Sequence, residues 1–149
     1  MTSPPPAPLA DRLRRLARHL SRLEAADADF GAWEPSRTRD DGVIVMPWYV
    51  LGVDGEAFLA DIRSDGWVIP FDWPAWAAGP DGERLVGHPE AVASASTEEL
   101  ARLLTTYVRG DRFNEGLLAS AHENGMLAAI ARRAAELAAT LDDGRPERR

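Results

Sequence analysis

The chain contains no cysteine and no lysine; all 17 of its basic residues are arginine. Without cysteine there is no disulfide and no thiolate metal ligand. Without lysine there is no Schiff base and no lysine general base, because arginine does not give up its proton near neutrality. No stretch approaches the roughly 18 apolar residues of a membrane helix, and the proline-rich start lacks the apolar core of a signal peptide. Glycine-rich phosphate loops, Gly-x-Ser-x-Gly elbows and zinc-ligand spacings are absent as well. Only three histidines are available to any chemistry. Abundant Ala, Gly, Pro and Asp with arginine for every base reads as a GC-rich bacterial genome, and the expected location is the cytoplasm.

What is present is charge in blocks. The net charge of −7 argues against general affinity for nucleic acid or anionic lipid. Residues 1–22 hold five Arg against one Asp, residues 23–99 four Arg against sixteen acids, and residues 100–149 eight Arg against seven acids. The plain reading is that basic helical ends lie on an acidic middle; the sharper one is an acidic face for a basic partner.

The chain of 149 residues suits one domain. The expected division is a disordered proline-rich tail at 1–8, a helical domain at 9–141 and a charged flexible tail at 142–149. Leu9, Leu13, Leu16, Leu20 and Leu23 predict one amphipathic helix over 9–24, with Arg12, Arg15, His19 and Arg22 on a neighbouring stripe. Such a leucine seam packs on a second helix of the same chain or of a dimer partner. Residues 27–47 read as turns, with Val43-Ile44-Val45 as one short hairpin strand at most. A helix is predicted from Val53 to Asp65, capped by Asp54, faced by Phe58, Leu59 and Ile62 and ended by Gly66. A short helical turn at 72–78 follows, begun by Pro74, and residues 79–90 read as loop. Ser96 and Glu99 form a capping box for a helix whose core face is Leu100, Leu103, Leu104, Tyr107 and Val108. Met126, Leu127, Ile130, Ala134, Leu137 and Leu141 share a face of the last helical region, spanning 111–141 with a break at Asn124-Gly125. The fold class is therefore mainly α: a compact bundle of four or five helices with a Trp/Pro-rich irregular segment and room for a short β hairpin.

Two segments are unusual: Gly66-Trp67-Val68-Ile69-Pro70-Phe71-Asp72-Trp73-Pro74-Ala75-Trp76, and Asp111-Arg112-Phe113-Asn114-Glu115-Gly116 with Glu123-Asn124-Gly125. With the leucine-rich first helix, they resemble domain of unknown function family 6508, uncharacterised bacterial proteins, over about residues 9–141. The resemblance implies a compact, mostly helical domain and no activity.

Trp67, Phe71, Trp73 and Trp76 are candidates for a stacking surface, although such rings more often fill a core. Asp72 between them is a shielded carboxylate or, more simply, a helix cap. Asp111, Glu115 and His122 fall on one face if their helix is continuous, which would permit metal or acid–base chemistry. The ordinary alternatives are a cap and an Arg112–Glu115 pair. If Arg112 and Glu123 turn inward they need partners, and Asp72 is the natural one for Arg112. The leading functional expectation is a non-catalytic interaction module acting through an unknown protein partner or as a homodimer, with no cofactor and no metal. The alternative is a small metal- or acid/base-dependent enzyme with its site between 66–76 and 111–123.

Overall fold

A computed structural model describes residues 7–143. The expectation of tails at 1–8 and 142–149 falls mostly outside them. The leucine seam is satisfied within the chain. Helix α1 (Leu9–Ala17) lays Leu13 and Leu16, both fully buried, along α8 (Met126–Asp143), where they meet the Ala- and Leu-rich face predicted for that helix. The run predicted as one helix bends at Arg18-His19 and resumes as α2 (Leu20–Glu24). There the His19 amide donates three residues back to Leu16, at 3.3 Å, while its ring is held on the neighbouring helix.

That neighbour is α3 (Val53–Ser64), and it explains the charge blocks. Arg15 makes a two-pronged contact with Asp65 at 2.8 and 2.9 Å, His19 Nε2 lies 2.7 Å from Asp61, and Arg22 donates to Asp54 at 3.0 Å. Arg12 donates to the Asp65 carbonyl and covers the Trp67 ring at 4.8 Å. The basic stripe of the first helices is thus consumed by the acids of the third. Asp54 is not the cap of α3, as predicted; Gly52 occupies that place. The Asp54 carboxylate instead accepts from Arg22 and from the Asp29 amide, and Asp29 in turn accepts the Val53 amide.

The segment 27–47 holds more β structure than the turn chemistry predicts. β1 (Gly31–Glu34) pairs antiparallel with β4 (Trp48–Leu51), and β2 (Arg37–Thr38) with β3 (Ile44–Val45). Both pairs keep one register: Glu34 opposes Trp48 and Arg37 opposes Val45. Pro35 and Pro47 therefore face each other, and two missing N–H donors interrupt what is otherwise one long hairpin. Its tip closes through Gly42, at φ 84°.

Gly66, at φ 74°, ends α3 as predicted, and Trp67 then drops into the core at 1% exposure. The extended strand-like path after it is pinned by one side chain. Thr105, fully buried in α6 (Thr97–Gly110), accepts the Ile69 amide at 2.9 Å while donating within its own helix. Asp72 caps α4 (Trp73–Ala78) by accepting from Ala75, and Pro74 sits in its first turn. The predicted loop at 79–90 contains α5 (Pro80–Leu85) and leads into a 3₁₀ helix (Pro89–Ser94). Each begins on a proline, where the missing donor is harmless, and each buries one large apolar residue, Leu85 or Val92.

The capping box of α6 is complete, and its predicted core face is buried throughout. The last helical region breaks at Asn124-Gly125 into α7 (Leu117–Glu123) and α8. Residues 111–116 are a turn rather than the start of a helix. Among the described residues eight α-helices carry the mainly α fold, more than the periodicity predicts, because the 9–24 run is split at Arg18-His19 and α5 is added.

Two expectations follow. Thr105→Val keeps the shape but strands the Ile69 amide in the interior, and urea unfolding should show a loss of about 1–3 kcal/mol. The Asp54 carboxyl is held below its ordinary 3.8, first by the Arg22 hydrogen bond and then by the Asp29 amide. A depressed folded pKa gives stability that is present above the unfolded value and lost as pH falls through the folded one. Unfolding curves across pH 5 to 2 should therefore show a shallower acid loss for Asp54→Asn than for the parent chain.

Candidate functional site

The turn between α6 and α7 organises the region the sequence singled out. Asp111 Oδ1 accepts the amides of Gly116, at 3.1 Å, and Leu118, at 3.0 Å. It closes the turn and satisfies the start of α7, whose first residues would otherwise leave donors open. Gly116 is required twice over. Its φ is 95°, and a Cβ there would stand 2.5 Å from the Trp33 ring. Glu115, carried by this turn, accepts the Tyr49 amide at 2.7 Å and so ties β4 to the body.

The face that would have joined Asp111, Glu115 and His122 does not form, because the helix it required is replaced by this turn. His122, on α7, stacks on Phe30 at 4.5 Å and meets the Leu23 carbonyl at 3.1 Å. Asp72 is occupied at the start of α4. Each of the four polar candidates thus contacts backbone. Among the described residues no three His, Asp or Glu are placed to hold a metal. Arg112 and Glu123 are exposed, and Arg112 does not pair with Asp72. The inward placement that would have demanded such a pair is not adopted.

The aromatic candidates separate. Trp67 belongs to the core. Phe71, Trp73 and Trp76 are half-buried around α4, Phe71 edge-on to Trp76 at 6.2 Å and Trp73 beside Phe113 at 6.1 Å. The two unusual segments therefore do meet, but through apolar rings. Phe113 itself is 83% exposed.

A cavity of about 200 Å³ lies on the other side of the turn, toward α3 and β4 rather than toward 66–76. Leu51, Leu59, Val108 and Leu118 form its apolar wall, with Tyr49, Arg63, Asp111 and Arg112 as its polar lining. Burial raises the Tyr49 hydroxyl above its ordinary 10.0, reinforced by Glu123, Asp111 and Asp29. Of this set the sequence marked Asp111 and Arg112 as candidate site residues, and Leu59 and Val108 as parts of helical core faces. Arg63 carried a faint signal: no acid stands three or four positions away along its own helix.

A second feature is the hairpin arm. Positions 32–44 are exposed throughout, including Trp33 at 47% and Ile44 at 64%, and Met46 and Val50 follow on the return strand. Among the described residues no third strand pairs with either ribbon.

Asp111→Ala should remove both amide contacts and lower stability by about 1.5–3 kcal/mol in urea unfolding. Asp111→Asn keeps an acceptor oxygen and should lose clearly less.

Among known proteins, the model of a family of unknown function, DUF6508, matches residues 8–140. No curated protein and no solved structure matches the chain.

Proposed function

The chain belongs to this family of unknown function, and we propose that it serves as a non-catalytic interaction module that self-associates through its hairpin arm, in the bacterial cytoplasm. The observation that carries this is the open edge of β1. Glu115 occupies the outward Tyr49 amide of β4, whereas β1 and β2 carry nothing on their outer side among the described residues. A two-stranded ribbon is marginal alone and gains stability from a third strand or a packed face. The distal pair of this arm has neither.

The edge is also self-complementary. Glu34 and Arg37 flank Pro35-Ser36, and neither has an ion-pair partner among the described residues. In an antiparallel pairing about a two-fold axis between Pro35 and Ser36, Glu34 meets Arg37 of the partner subunit, and the contact repeats by symmetry. The arm from 31 to 51 has two Arg against three acids, so it carries little of the chain's net charge of −7 and two arms meet with little repulsion. Exposed Trp33, Ile44, Met46 and Val50 supply apolar area beside that edge.

The acid–base alternative draws no support from the geometry, since Asp72, Asp111, Glu115 and His122 all engage backbone groups.

Sedimentation equilibrium over a range of protein concentrations tests the reading. The parent chain should dimerise, Glu34→Arg should be monomeric, and Glu34→Arg with Arg37→Glu should recover the dimer. A parent chain that stays monomeric at high micromolar concentration, or a charge swap that fails to recover association, overturns it.

A further inference from the structure

The cavity against α3 has a composition that points to a ligand. Its wall is apolar, yet two arginines line it, and among the described residues neither Arg63 nor Arg112 has a carboxylate partner. Elsewhere in this acidic chain Arg14, Arg15, Arg22, Arg39, Arg84, Arg102, Arg132 and Arg133 reach acids. Arg12, Arg18, Arg37 and Arg109 do not, but of the arginines without an acid only Arg63 and Arg112 stand together at one cavity among the described residues. The one carboxylate in the cavity lining, Asp111, already holds two amides and lies beyond ion-pair distance of both arginines. Guanidinium presents a planar fork of donors suited to a carboxylate. A cavity that offers such donors beside an apolar wall suits a molecule with one charged end and one greasy end.

We infer that this cavity binds a carboxylate carried on a short branched alkyl chain, with Arg63 and Arg112 receiving the charge and Leu51, Leu59, Val108 and Leu118 the alkyl group. Size sets the class. A volume of about 200 Å³ corresponds to roughly seven water molecules at ~30 Å³ each. That excludes nucleotides and long-chain lipids and suits an acid of about seven or eight heavy atoms. Two sources share this chemistry. A free short-chain acid uses the arginines and the apolar wall alone. An apolar amino acid adds an ammonium, for which Asp111, the one carboxylate in the lining, is the acceptor. The inference is independent of self-association through the arm, and its test reads binding rather than oligomeric state.

The test is calorimetric titration, with thermal melting in parallel, of the full chain with isovalerate, with valine and with isovaleramide. Isovalerate and valine share one carbon skeleton and differ in the ammonium; isovaleramide keeps the shape of isovalerate without the charge. Saturable binding of isovalerate, of valine or of both is expected, with a matching rise in Tm, because a ligand held only by the folded state must stabilise it. Isovaleramide should bind weakly or not at all. Arg63→Gln and Arg112→Gln alter exposed side chains without ion partners, so they should melt like the parent chain. Each should weaken the acid by about tenfold or more, the effect of losing a charge-assisted hydrogen bond. Leu59→Phe, which fills the cavity while leaving both arginines, should abolish binding. Valine alone binding would assign the amino acid, and isovalerate alone the free acid. No saturable binding of either at tens of millimolar overturns the inference. So does binding that is unchanged in both arginine variants, or isovaleramide binding as tightly as isovalerate.

Discussion

The local arrangement depends on one carboxylate oxygen. Asp111 Oδ1 holds the Gly116 and Leu118 amides, and through them it fixes the direction in which the chain leaves α6 and enters α7. Several consequences share that cause. Glu115 comes under the Tyr49 amide, Gly116 lies against Trp33, Arg112 turns to the cavity, and Phe113 stands out in solvent. Hydrogen bonds to a charged acceptor are worth about 1.5–3 kcal/mol, which is large against the few kcal/mol that separate folded from unfolded chains. The turn can therefore leave Phe113 uncovered and still persist.

The body of the domain rests on a different division of labour. α1 has two working faces: leucines toward α8, and Arg12 and Arg15 toward the end of α3, where His19 and Arg22 continue the same contacts. Burial of Leu13 and Leu16 supplies the affinity, at roughly 1.5–3 kcal/mol for each fully buried side chain. The ionic contacts are partly exposed and weaker, so their contribution is chiefly orientation. They fix the rotation of α1 about its axis, which an Ala- and Leu-rich seam alone leaves loosely specified.

Much of this was legible because it is local. The capping box at Ser96, the stop at Gly66, the cap at Asp72 and the break at Asn124-Gly125 each depend on a few neighbouring residues, and each stands where the sequence places it. The charge blocks were legible too, since a basic start and an acidic middle relieve each other when they pack together. The failures are equally physical. α5 and the 3₁₀ helix carry one large core residue each, too few to make a periodic pattern, so their prolines read as breakers instead of starters. The arm was hidden because Pro35 and Pro47 suggest turns; opposed in register, they interrupt a hairpin without ending it. The cavity was illegible for a third reason. Its lining comes from β4, α3, α6, the turn and α7, and no stretch of sequence brings Leu59 to Leu118.

β4 belongs to both the cavity and the arm. Side chains alternate along a strand, so Tyr49 and Leu51 line the cavity while Trp48 and Val50 face the other way. A slip of one residue would exchange the two sets, placing Val50 in the cavity and Tyr49 in solvent. Register is therefore what allows one short strand to serve both a cavity and an exposed arm. Three separate features hold it. The Gly42 turn sets the spacing at the tip, and the opposed prolines mark the middle. Glu115 accepts the Tyr49 amide at the base, and a slipped strand would present it with a different residue. Because Glu115 is placed by the turn that Asp111 closes, the register of the arm is set from the helical body, across 66 residues of sequence.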